Sequence, residues 1–178
     1  HGALDALAQI TARTGTLQPE QVRAIAVDTY VWAAQLDSPL APNMLAAKFS
    51  IPFALATTLA HGAATVPAFR GPARENAAVQ ALAKRVTVNE DPALTAQLPG
   101  LRPARLRLTL ADGSVHAAEV TTNRGDTEDP YTEAEVRAKF RELTDPVFGV
   151  PRARAIEDAV LALGPHREAA ALAELLGR

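Results

Sequence analysis

The residues best suited to chemistry lie close together in one segment. Lys48, Ser50 and Pro52 interrupt a stretch running from Met44 to Phe69, in which Leu45, Phe49, Phe53, Ala56 and Leu59 recur at helical spacing. That spacing predicts one buried helix, stopped by Gly62. Pro52 offers no N–H to the carbonyl of Lys48, a break that costs about 3 kcal/mol in a helix interior. A cation and a hydroxyl beside such a break suit a carboxylate ligand, because charge-assisted hydrogen bonds are roughly twice as strong as neutral ones. The same residues also have a purely structural reading: a lysine snorkelling from a helix edge and a serine bonded back to its own helix.

Other chemistries find little support. The four histidines, His1, His61, His116 and His166, have no paired ligand three or four residues away, so no metal site is expected. His61, beside Gly62, reads as a favourable cation at a helix C-terminus. His116 reads as the outward side of a strand, and His166 as a surface residue before a terminal helix. The absence of cysteine removes disulfides, thiol nucleophiles and thiolate metal sites, and fits a cytoplasmic protein. Gly100 and Gly113 are isolated turn glycines with no phosphate-binding loop around them, and no serine sits in a nucleophile-elbow context. Arg124-Gly125-Asp126 reads as a turn. No cofactor is called for.

A chain of 178 residues is long enough for one good core. Its hydrophobic share of 48% and charged share of 21% are those of a globular domain. The net charge of −2, with signs interspersed, gives no electrostatic footprint for nucleic acid or an anionic membrane surface. No apolar run approaches the roughly 20 residues of a membrane span. Met44 is the only methionine, which leads us to expect one domain of a longer polypeptide.

These side chains need elements to hold them. Leu4, Leu7, Ala8 and Thr11 predict a helix over residues 2–13, ended by Gly15, and a helical turn follows around Pro19. Ile25, Val27 and Thr29 alternate as a strand, and Val86-Thr87-Val88 forms a second. Asn43 is placed to cap the helix carrying Lys48. The clearest local signal is a hairpin over residues 104–121. There Leu106, Leu108 and Leu110 alternate with Arg105, Arg107 and Thr109, Asp112-Gly113 makes the turn, and Val115 to Val120 returns. Thr132 and Glu135 spell a capping box, with Val136, Phe140 and Leu143 as the buried stripe behind it. Ile156, Val160 and Leu163 mark a further helix, and Leu172, Leu175 and Leu176 another after the Gly164-Pro165 break. About four strands and several helices without regular alternation predict an α+β domain spanning residues 1–178.

Several segments, in order along essentially the whole chain, resemble the C-terminal domain of the MmgE/PrpD family, which includes 2-methylcitrate dehydratase, cis-aconitate decarboxylase and iminodisuccinate epimerase. They are His1-Gly2-Ala3-Leu4-Asp5-Ala6, Ala47-Lys48-Phe49-Ser50-Ile51-Pro52-Phe53-Ala54, Arg85-Val86-Thr87-Val88, Leu110-Ala111-Asp112-Gly113, Asn123-Arg124-Gly125-Asp126, and Tyr131 to Phe140. The resemblance implies a lid-type domain closing over a cleft against the protein's own larger N-terminal helical domain, in a homodimer. It also implies a lyase or isomerase that abstracts a proton next to a carboxylate of a small di- or tricarboxylate, with most acid/base residues outside this chain. Lys48, Ser50 and Phe53 are thereby expected at the substrate, and His1 as a catalytic residue. Phe53 stands where relatives often carry tyrosine, and the missing hydroxyl speaks against the decarboxylase branch. On this reading the isolated chain is inactive. The alternative is a non-catalytic α+β interaction or dimerisation module.

Overall fold

The computed structural model describes residues 1–164 and 169–177, so His166 and Pro165 lie outside the described residues. The chain divides into two compact units, His1–Pro130 and Tyr131–Arg178. The first unit opens with α1 (Gly2–Thr14), whose buried Ala3, Ala6, Leu7 and Ile10 repeat at helical spacing. A 3-10 turn at Pro19–Gln21 leads into β1 (Val22–Thr29). Next come α2 (Val31–Ala34), α3 (Met44–Lys48), α4 (Ile51–His61), α5 (Gly71–Arg74) and α6 (Ala77–Ala83). Then β2 (Val86–Glu90), α7 (Pro92–Thr95), β3 (Ala104–Leu110) and β4 (Val115–Val120) complete the unit.

The four strands form one mixed sheet in the order β2-β1-β3-β4. β1 runs parallel to β2 and antiparallel to β3, which pairs antiparallel with β4. A parallel pair needs a long crossover, and here the segment from α2 to α6 supplies it. Alternation decides the faces. Ile25, Val27, Leu106 and Leu108 are buried in one core with Leu7 and Ile10 of α1, Phe53 and Leu55 of α4, and Leu82 of α6. On the opposite face Arg105 bridges Asp91 at 2.8 Å and Glu119 at 2.9 Å. The fold is α+β, as the sequence indicates.

Two readings of the sequence need correction in this unit. His116 does not point outward. It pairs with Leu108, whose side chain is in the core, so register puts the half-buried imidazole on the inner face of the edge strand. The segment from Met44 is also two helices, not one. Its apolar spacing runs on across the junction, but Leu45 and Phe49 are 66% and 62% exposed while Phe53, Ala56 and Leu59 are buried.

The second unit holds α8 (Glu133–Phe148), α9 (Val150–Leu161) and α10 (Ala170–Leu176). The capping box is present: the Thr132 amide donates to Glu135 Oε2 at 2.8 Å, and the Glu135 amide to Thr132 Oγ1 at 3.3 Å. The expected buried stripe of α8 is not buried, since Val136 and Leu143 are exposed. Between α8 and α9 lies a charge instead. Buried Glu157 accepts from Arg141 at 2.9 and 3.1 Å and from Arg137 at 3.2 Å. Hydrogen bonding from Arg141 holds the Glu157 carboxyl below its ordinary value; desolvation opposes this and Arg137 adds to it. A carboxyl with a lowered folded pKa stabilises above its unfolded pKa, and that stability is lost as pH falls through the folded value. Protection of the α8 and α9 amides from hydrogen exchange is therefore expected to weaken in acid. Glu157→Gln should lower protection at neutral pH and narrow its difference from acid; an undiminished difference would exclude Glu157 as its source.

Candidate functional site

The junction between α3 and α4 is built by side-chain capping. Asn43 starts α3 by accepting the Ala46 amide at 2.9 Å. The helix ends at Lys48, and Phe49 and Ser50 turn the chain. Ser50 then caps α4: its Oγ accepts the Phe53 amide at 3.0 Å and donates to the carbonyl of Ser38. The Ile51 amide donates to Leu36 O at 2.9 Å. Pro52 falls in the first turn of α4, where a missing N–H costs nothing and the fixed φ suits the helix. The break expected at Pro52 is thus a clean helix start, and no strain is stored there.

This geometry separates the four residues expected at the substrate. Lys48 is exposed at the end of α3, and its ammonium has no hydrogen bond or ion pair with the described residues. Ser50 is buried, with its hydroxyl engaged on both sides. Phe53 is fully buried, its ring 5.9 Å from that of Phe69. It also floors a groove of about 320 Å³ that includes Leu40, Arg74 and Lys84. His1 lies elsewhere, in a recessed cavity of about 200 Å³ lined also by Thr29, Tyr30, Ile51, Arg102 and Asn123. Lys48 lines neither.

The His1 cavity is the arrangement with the clearest chemistry. Six segments build it: the start of α1, the end of β1, α2, the start of α4, the start of β3 with Arg102 before it, and the loop after β4. The first amides of α1 have no acceptor within their helix, and the positive end of a 13-residue helix favours an anion there. At α4 the amides are already used, so Ile51 contributes wall and dipole only. Gly2 lets the wall close, because a Cβ there would stand 3.1 Å from Ala104 Cβ and 3.4 Å from Asn123 Oδ1. Arg102 faces Asp126 at 3.8 Å, too far for a hydrogen bond. Asp126 already accepts the Asn123 side-chain amide at 2.8 Å. Its carboxylate lines a larger neighbouring cavity with Arg102 and Glu128, not this one. No acidic side chain lines the His1 cavity among the described residues.

A cation in a lining without an acidic side chain suits a carboxylate. At about 200 Å³ the cavity is smaller than the roughly 300 Å³ of a pocket that encloses a small molecule. Arg102, Asn123 and Tyr30 were not singled out in the sequence. No local signal marks them, because the pairing of β1, β3 and β4 and the packing of α1 on those strands bring them to His1. The Arg124-Gly125-Asp126 stretch is a tied loop, with the Gly125 amide on Asp129 O at 2.7 Å and Arg124 ion-paired to Asp129. Among the described residues no group of three potential metal ligands occurs, and no helix is long and apolar enough to cross a membrane.

Ser50→Ala removes both the cap and the Ser38 contact. It should cost about 1 kcal/mol or somewhat more in denaturant unfolding. An unchanged midpoint would show that the hydroxyl does not hold the junction.

Residues 1–164 match the family model of the MmgE/PrpD C-terminal domain. No curated protein matches the chain significantly. The match spans most of the chain, which therefore belongs to the MmgE/PrpD family as its C-terminal domain.

Proposed function

From this membership we propose that the chain is the lid-type domain of a two-domain enzyme, a lyase or isomerase acting on a small di- or tricarboxylate, of the kind of a 2-methylcitrate dehydratase. The observation that carries the proposal is the wall around His1 and Arg102, a cavity of about 200 Å³ with no acidic side chain in its lining among the described residues. Loss of a proton next to a carboxylate builds negative charge on that carboxylate, and fixed cations lower the barrier by stabilising it. Arg102 serves as such a cation in the His1 cavity, and Lys48, outside that cavity, offers a second charge to a polycarboxylate. His1 acts on the reacting part of the substrate as acid or base. Ser50 and Phe53 support the site by fixing the turn that presents Lys48 and by anchoring α4 in the core.

The remaining acid/base groups come from the protein's own N-terminal helical domain. Exposed Trp32, Leu40, Leu45 and Phe49 favour such a neighbour, since large apolar side chains left at a surface are candidates for a contact. The same exposed residues are what a non-catalytic interaction module would use, but that reading leaves the cavity around His1 and Arg102 without a role. A homodimer in the cytoplasm is part of the proposal.

The test is turnover of 2-methylcitrate, cis-aconitate and related acids by the full-length protein. Lys48→Ala is expected to lower kcat/KM by about tenfold, the effect of one lost charged contact. Unchanged kinetics would remove Lys48 from the site, and no turnover of any polycarboxylate would favour the interaction module.

A further inference from the structure

Two donors on the cavity wall make no side-chain hydrogen bond with the described residues. One is the Arg102 guanidinium, whose ion pair with Asp126, at 3.8 Å, is too long for a hydrogen bond. The other is the phenol of Tyr30, whose oxygen makes no hydrogen bond with any described residue. Tyr30 joins β1 to α2 with extended backbone, is half-buried, and meets the Trp32 ring edge-on at a centroid distance of 6.5 Å. Its neighbour in the same lining, Thr29, shows the contrast. That hydroxyl is buried and donates to Pro103 O at 2.9 Å, so it is structural and spent.

We infer that Tyr30 is the substrate-contacting hydroxyl of this domain, donating a hydrogen bond to the carboxylate that Arg102 holds. The inference rests on the polycarboxylate reading above and adds a residue that neither family membership nor sequence spacing assigns. A carboxylate has room for both donors, since its two oxygens present about four acceptor positions. A phenol hydroxyl donates one hydrogen bond, which suits an anionic acceptor. No acidic side chain lines the cavity among the described residues; Asp126 pairs with Arg102 from outside it, at 3.8 Å.

Tyr30→Phe keeps the ring and its contact with Trp32, and so isolates the hydroxyl. The probe is tricarballylate, a tricarboxylate with no hydroxyl to lose, titrated calorimetrically into the full-length protein with hydrogen exchange as a check of folding. Tyr30→Phe should weaken binding roughly tenfold, as expected for one hydrogen bond to a charged group, and Arg102→Gln by at least as much. The double variant should lose less than the product of the two, because both donors share one carboxylate. Wild-type affinity in the folded Tyr30→Phe variant overturns the assignment of Tyr30 while leaving the polycarboxylate reading intact. Absence of tricarballylate binding to the wild-type protein overturns both.

Discussion

One hydroxyl sets the geometry on which the candidate site depends. Ser50 Oγ accepts the Phe53 amide of α4 and donates to the carbonyl of Ser38, so it ties the start of that helix to the preceding loop at a single buried atom. Without that cap the apolar spacing would allow α3 to run straight into α4. With it the chain turns at Phe49, Lys48 stays at the surface, Ile51 reaches the cavity wall, and Phe53 enters the core. Pro52 then reinforces the turn, because the first turn of a helix is where proline fits best.

Parts of this were legible in the residues and parts were not. The hairpin could be read directly: leucines at 106, 108 and 110 alternate with arginines, and Asp112 accepts the Ser114 amide at 2.9 Å in the turn. The capping box at Thr132 was equally local. The α3–α4 junction misled because apolar periodicity stays in phase across it, although a serine followed two residues later by proline is itself a helix-start signal. His116 misled because an edge strand with alanines at 117 and 118 has too weak a pattern to fix which face is inner. Val136 and Leu143 followed a buried-face pattern that the structure leaves exposed, while α8 and α9 meet around the charged Glu157.

The candidate site was the least legible. Its wall gathers His1, Tyr30, Arg102 and Asn123 from segments widely separated in the chain, and the pairing of β1, β3 and β4 and the packing of α1 on those strands bring them together. A sequence shows charge and spacing along one element, whereas this site is made where several elements end. The residues the sequence did single out have divided roles. Lys48 presents a cation unpaired among the described residues, while Ser50 and Phe53 hold the framework behind it. Such a division fits a domain that contributes one wall of a cleft.

The central claim is that this wall binds a carboxylate. A crystal structure of the full-length protein with tricarballylate bound tests it most directly. The account predicts a ligand carboxylate within hydrogen-bond distance of Arg102 in the cavity beside His1. A ligand bound elsewhere, with the His1 cavity empty or covered, would contradict it.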